Sequence, residues 1–446
     1  MAAMIVGFST AAVGSDKDSP VQLITLDPGH FHAALVQKFM LPGVNPEVWV
    51  YGPPGEDMEQ HLRRVKGFNT RADEPTRWTE RVYTEPDYLE RALADSRGGG
   101  AGERRAAFVV LSGNNARKVE YIESFIEAGV HVLADKPMVI VPEELPRLEA
   151  AFNAAKQKRV LLFDIMTERY EIATLLQRAL SREETLFGTL ERGTPDDPAI
   201  TKISVHNFSK VVAGSQLKRP PWFFDPAQQG AGIVDVMTHL VDLVQWEAFP
   251  DVILAPADAR VLKARRWPTP LSRQQFEKVT GAKDFPAFLA PYVNGGVLYA
   301  PANGEFTYTL KGVHARTSVT WDFEAPPGGG DTHYSVMRGT KASLVIKQGA
   351  EQKFRPTLYV ERADEQVLRA AIANVAKTWP GIGVAAAGSG FEILVPDRYH
   401  NGHEAHFGQV TNAFLGYLRD GKLPEWEVPN MITKYATIMQ AYTLSQ

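Results

Sequence analysis

The sequence predicts an α/β protein. A first domain is built on a parallel sheet, and an α+β domain with a large, mostly antiparallel open sheet follows. Three observations carry this. Between residues 21 and 180, short apolar runs alternate with helical runs, the pattern of a parallel sheet with helices on both faces. After that, strand-like runs follow one another directly with polar and aromatic alternation, the pattern of an antiparallel sheet solvated on one side. Finally, 446 residues are too many for one ordinary core. The expected division is a leader over residues 1–20, a first domain over 21–165 and a second over 166–446.

The elements follow in order. Residues 21–26 read as a buried strand broken by Asp27-Pro28-Gly29, and residues 31–40 as a helix with Ala34, Leu35 and Phe39 on one face. Residues 48–51 are the next strand. From 52 to 86 the periodicity weakens, which suggests an insertion or a lid. Strands at 107–111, 130–134 and 160–163 then alternate with helices at 116–128, 142–156 and 168–180. The Gly-rich stretch 98–102 is a loop rather than a phosphate cradle, because no helix follows it. In the second domain, strands are expected at 203–208, 297–299, 306–310, 318–323, 343–346 and 358–361. Helices at 405–418 and 429–444 close the chain and are placed to pack back on the first domain.

Composition removes several function classes. Lys and Arg number 48 and Asp and Glu 52, so the net charge is 48 − 52 = −4, and nothing favours nucleic acid or acidic membranes. Cysteine is absent, which excludes disulfides, thiolate catalysis and Cys-ligated zinc. No segment approaches the roughly 20 apolar residues of a membrane span. Residues 1–13 are mildly apolar and a polar tether follows. No Lys or Arg precedes the apolar run and no lipobox cysteine is present, so the segment admits a periplasmic or a cytoplasmic chain.

The first strand-turn-helix is where a Rossmann domain holds a dinucleotide. Here the turn reads Asp27-Pro28-Gly29-His30-Phe31-His32, and Gly29 alone remains of the glycine fingerprint. Gly29, His30, Phe31 and His32 are the cofactor candidates, though each histidine could equally cap the helix. The acid expected after the second strand is missing; Tyr51-Gly52 stands there, with Glu56 and Asp57 shortly after. No arginine adjoins it to favour a 2′-phosphate, so NAD leads over NADP. At the next strand ends, Ser112, Gly113, Asn114 and Asn115 suit a nicotinamide–ribose contact, and Asp135-Lys136-Pro137 lies at the same edge.

Asp235 and His239 are four apart, which places them on one helix face. A histidine suits transfer of a hydroxyl proton and an aspartate can orient it. A metal would need a third ligand at clear spacing, which is lacking, so no metal is assigned. His206, Arg219, Trp222, His333 and His403 are candidates for substrate contact. His333 follows a glycine-rich loop at 328–332 that could close over substrate.

At this point the motifs resemble a known family. Val130-His131-Val132-Leu133-Ala134-Asp135-Lys136-Pro137 and the segment from Gly230 through Asp235 and His239 to Leu243 are similar to signatures of the Gfo/Idh/MocA oxidoreductases. Trp321-Asp322-Phe323 and Gly339-Thr340-Lys341-Ala342 also fit. The resemblance implies a nicotinamide cofactor (NAD or NADP, tightly held in some relatives) and a sugar or cyclitol substrate. It implies Lys136, Asp235 and His239 as the catalytic group, and a dimer or tetramer formed through the open sheet. Three departures mark a divergent branch: the degraded fingerprint, Asp135 in place of Glu, and the long stretch at 52–86. That branch implies oxidation of a glycoside at the 3-hydroxyl. The alternatives are an NAD-dependent glycosidase that is redox-neutral overall and a non-catalytic sugar- or nucleotide-binding protein.

Overall fold

The computed structural model describes residues 20–97, 106–212 and 215–445. Residues 1–19 of the expected leader and the whole Gly-rich stretch 98–102 lie outside them. The first domain runs β1 (Gln22–Leu26), α1 (His32–Leu35), β2 (Glu47–Tyr51), α2 (Glu56–Thr70), β3 (Thr79–Tyr83), α3 (Tyr88–Ser96), β4 (Ala107–Leu111), α4 (Lys118–Glu127), β5 (His131–Ala134), α5 (Leu145–Lys158) and β6 (Leu162–Asp164). Among the described residues its sheet is six-stranded and parallel, ordered β3-β2-β1-β4-β5-β6. Central strands β1 and β4 are buried at every position, as helices on both faces require. Edge strand β3 is largely exposed, which is why its sequence Thr-Glu-Arg-Val-Tyr is mostly polar.

Two expectations need correction here. The stretch at 52–86 is not an insertion or lid; α2 and β3 form an ordinary strand-crossover unit of the sheet. Helix α2 buries only Met58, His61 and Val65, so its apolar stripe is too thin to read. The helix expected at 31–40 is regular over only four residues, His32–Leu35, before turns carry the chain on.

The second domain continues with α6 (Ile172–Ser181), α7 (Glu184–Phe187), β7 (Ile200–Ser209), the small hairpin β8 (Val211–Val212) and β9 (Ser215–Gln216), and α8 (Met237–Ala248). Then come β10 (Ala259–Ser272), α9 (Arg273–Thr280), β11 (Val293–Asn294), β12 (Val297–Leu310), β13 (Val313–Glu324), β14 (Thr332–Arg338), β15 (Ser343–Gln348) and β16 (Thr357–Glu361). Helix α10 (Glu365–Val375), β17 (Gly383–Ala387), β18 (Gly390–Leu394), α11 (His403–Asp420) and α12 (Glu427–Leu444) complete it. The large sheet is ordered β10-β12-β13-β7-β14-β15-β16-β18-β17, with β11 beside β12. Its pairs are antiparallel except β13 with β7. One face packs on α6 and α8, while the other is open and shows Tyr299 and Tyr334 about 40% exposed.

Helices α11 and α12 return to the first domain. Phe414 of α11 packs on Phe108 and Phe163 of the first sheet, with ring centroids 5.6 and 6.1 Å apart. Burying such a ring contributes roughly 1.5–3 kcal/mol. A buried ionic cluster lies beneath. Lys434 Nζ reaches Asp164 at 2.6 Å and Asp242 at 3.0 Å, while Arg169 donates to both Asp242 and Glu427. This cluster ties α8, which carries His239, to the end of β6.

Candidate active site

Lys136 leaves the C-terminal end of β5 through a cis Lys136–Pro137 bond and reaches into the second domain. Its Nζ donates to Asp235 Oδ1 at 2.5 Å, and both side chains are buried. Asp235 sits in the turn just before α8. That turn runs against β12, because a Cβ on Gly232 would lie 1.7 Å from the Ala302 oxygen; only glycine permits the approach. Asp235 therefore binds Lys136, and no hydrogen bond joins it to His239. The expectation that Asp235 orients His239 is corrected: Asp235 lies in the turn before the helix and its carboxylate is taken by Lys136, although both residues line the same cleft.

His239 occupies the first turn of α8, and its Nδ1 is buried without a partner. Burial, then the Lys136 charge, hold its imidazole well below the usual histidine range. It is a neutral imidazole at neutral pH, beside an ammonium that can stabilise negative charge on a bound oxygen.

The first turn is built differently from a glycine-rich one. Asp27 takes the left-handed conformation, φ 48°, that a glycine usually supplies. The amides of Gly29 and His30 donate to the Ser112 carbonyl at 3.3 and 3.2 Å. His32 Nδ1 lies 2.9 Å from Asp135 Oδ2, which also accepts from Ser112 Oγ at 2.8 Å. Burial works against the Asp135 charge, but His32 and Lys136 outweigh it and hold the carboxyl well below its usual range. Burial lowers His32 as well, with Asp135 opposing, so the contact is a ring N–H facing a carboxylate. His30, His32 and Asp135 bring atoms of metal-ligand type within 4.8 Å of one another. Yet Lys118 donates to the Asp135 backbone at 2.7 Å, and the Lys136 and Arg219 charges act on His30. Three nearby cations oppose a divalent ion there.

Between the domains lies a cleft of about 960 Å³, within the range of small-ligand sites. His30, Phe31, His32, Lys136, Asp235 and His239 line one side. His206, Arg219, His333 and His403 line it too, so four of the five expected substrate residues meet there. His206 bonds Asp331 at 3.2 Å and lies 5.0 Å from the Trp321 ring. Arg219 donates to the Phe208 and Asn207 carbonyls and sits over Phe223 and Trp321. His333 belongs to β14 rather than to a loop, while residues 326–331 before it also line the cleft.

Trp222 does not line this cleft. It lies over the first turn, where its Nε1 donates to Asp57 Oδ2 at 2.8 Å. Ser112 is taken up by Asp135, Asn114 by Gln228 at 2.7 Å and Asn115 by the Gln229 carbonyl at 2.8 Å. Sequence reasoning passed over Glu168 and Glu171, which line the cleft just beyond β6. Burial pushes Glu171 up to about 7, and its Oε1 has no partner. Nothing in the local pattern marks these carboxyls; only the fold brings them in.

These residues suit the nicotinamide dinucleotide that the motifs imply. Gly29 presents bare backbone: a Cβ there would lie 2.9 Å from Trp222 and 3.2 Å from Asp57 Oδ2. The adjoining edge from His30 to His32 opens on the cleft beside Lys136 and the unpartnered His239.

Residues 176–446 match a family model described as "Putative oxidoreductase C terminal domain". The chain belongs to this oxidoreductase family. A crystal structure of another such oxidoreductase, from Parabacteroides merdae, is 49% identical, covers 96% of this chain and 98% of its own, and superposes with a TM-score of 0.91. The Gfo/Idh/MocA reading of the motifs stands with it. "Myo-inositol dehydrogenase Hyg17" of Streptomyces leeuwenhoekii is 28% identical over 156 residues, which are 35% of this chain and 41% of that protein. The chain therefore spans well under two thirds of that relative. A levoglucosan dehydrogenase complexed with NADH and levoglucosan shares the fold at 14% identity, with a TM-score of 0.59 over 96% of this chain and 98% of its own. A member of the family on this evidence, the protein is an oxidoreductase with a Rossmann-like first domain.

Proposed function

We propose that the protein oxidises a secondary hydroxyl of a sugar or glycoside, or reduces the matching ketone, with NAD or NADP as cofactor. The buried Lys136–Asp235 pair beside a neutral His239, at the wall of the cleft, carries this reading. A nicotinamide, when bound, supplies hydride acceptance and release. The residues supply the rest. Lys136 donates a hydrogen bond to the reacting oxygen and stabilises its developing charge. His239 takes the hydroxyl proton, and Asp235 holds the Lys136 ammonium in place. Gly29, His30, Phe31, His32, Ser112 and Asp135 form the cofactor side, with Asn114 and Asn115 bracing it against the second domain.

The similar proteins support a sugar-type substrate, since one is named for myo-inositol and another was solved with levoglucosan. The 3-hydroxyl is the position we propose. His206, Arg219, His333 and His403 then hold neighbouring hydroxyls. The open face of the large sheet is the surface through which we propose a dimer or tetramer.

The test is incubation of the full chain with methyl glycosides and NAD or NADP, read by mass spectrometry for loss of two hydrogens. A keto-glycoside that requires Lys136 supports the reading. Free sugar formed without net reduction of cofactor would replace it with the redox-neutral glycosidase. Wild-type turnover in Lys136→Ala would sink the site assignment.

A further inference from the structure

The dinucleotide turn is covered from the second domain. Residues 221–229 lie across the ends of β1, β2 and β4, the three strand ends that a dinucleotide crosses. Trp222 packs so closely on Gly29 that a Cβ there would stand 2.9 Å from its ring. The indole N–H is held by Asp57 at 2.8 Å. Asp57 is the second residue of α2, six positions beyond the end of β2, yet its Oδ2 lies against the same bare face of Gly29. No acid stands at the end of β2 itself, where Tyr51 donates to Asp95 instead. Asp57 is therefore the carboxylate that the fold brings to the turn, and a residue of the other domain masks it. Burial raises its carboxyl above the usual range, with Trp222 opposing, so its hydrogen-bond partner matters to its charge.

We propose that Asp57 selects NAD over NADP in this chain, and that Trp222 keeps it closed until a dinucleotide displaces the indole. This rests on the nicotinamide reading above. The Trp222–Asp57 bond is exchanged for bonds from Asp57 to the adenosine ribose hydroxyls. A 2′-phosphate would meet a carboxylate at that point and be repelled. Because the cover belongs to the second domain, the indole must leave Asp57 before the ribose can be held, so the Trp222–Asp57 bond competes with binding.

The experiment uses the full chain and two variants, Asp57→Ala and Trp222→Phe, with NADH and NADPH as probes. Equilibrium binding is read by nicotinamide fluorescence. Melting curves show that each variant is folded. Expected results are at least a tenfold preference for NADH in the wild type, most of it lost in Asp57→Ala. Trp222→Phe, which lacks the indole N–H that competes for Asp57, keeps the preference and binds NADH several-fold more tightly. An undiminished preference in Asp57→Ala, or unchanged NADH affinity in Trp222→Phe, overturns the proposal while leaving the nicotinamide reading intact. If neither the wild type nor folded Trp222→Phe binds either nucleotide, the nicotinamide reading falls with it.

Discussion

The Asp235 carboxylate meets the Lys136 ammonium at 2.5 Å across the boundary between the two domains, and both side chains are largely buried at the wall of the cleft. Removing one partner of such a pair strands a buried charge, which destabilises by roughly 3–5 kcal/mol. Asp235→Asn should therefore lose both activity and stability. The apolar double replacement Lys136→Met with Asp235→Leu should recover much of the stability and none of the activity. Urea denaturation alongside turnover separates the two effects. A double variant that regains turnover would show that the pair serves only the fold.

His239 gives a prediction about pH. Its imidazole is held well below the usual range, first by burial and then by Lys136. The neutral form, which accepts the proton, persists above that lowered value and is lost only as pH falls through it. We expect the acid limb of kcat/KM to lie below 6.5, the ordinary histidine value. A limb centred at 6.5 that vanishes in His239→Gln would show an unperturbed histidine.

The ionic cluster behind α8 gives a stability prediction. Lys434 is fully buried between Asp164 and Asp242. Lys434→Met should cost about 3–5 kcal/mol in urea denaturation. The exposed pair Arg63–Glu56 is the control, and Arg63→Ala should change stability by less than about 1 kcal/mol. Equal effects from the two would mean that water reaches Lys434.

Two buried histidines outside the proposed catalytic group, His61 in α2 and His406 at the cleft, predict how stability varies with pH. Burial, with a smaller push from Arg64, holds His61 at about 3, and burial holds His406 at about 4. The folded state keeps them neutral, whereas the unfolded chain binds protons below about 6.5. Their contribution is whole above 6.5 and is lost as pH falls from there towards 4 and 3. At pH 5 each should have withdrawn up to about 2 kcal/mol. The double variant His61→Gln, His406→Gln should show a flatter decline between pH 7 and 5; an unaltered slope would place the loss elsewhere.

Much of this architecture is legible in the residues themselves. The strand ends bearing Ser112 and Asp135-Lys136 read correctly because buried parallel strands are short, apolar and followed by polar turns. Strand β10 escaped notice because Ala259–Ser272 carries four basic residues and two prolines. At the rim of a sheet such residues are tolerated, so the usual pattern is lost. Edge strand β3 hid for the same reason. Within the site, Lys136 and His239 stand out through motif and order. The partnership of Asp235 with Lys136, the clasp of Trp222 on Asp57 and the arrival of Glu171 do not. Each depends on how separate segments meet, which spacing along one segment does not encode.

The return of α12 to the first domain sets an order of events during synthesis. Asp164 emerges early, but its partner Lys434 lies 270 residues later. Until that lysine is translated, the first sheet has an unneutralised carboxylate at β6 and no Phe414 over Phe108 and Phe163. We expect nascent chains arrested before residue 403 to be cleaved readily by protease in the first domain. Protection at that stage would show that this half matures alone. Otherwise the first domain matures only once α11 and α12 have been made, although every strand of its sheet is complete some 270 residues earlier.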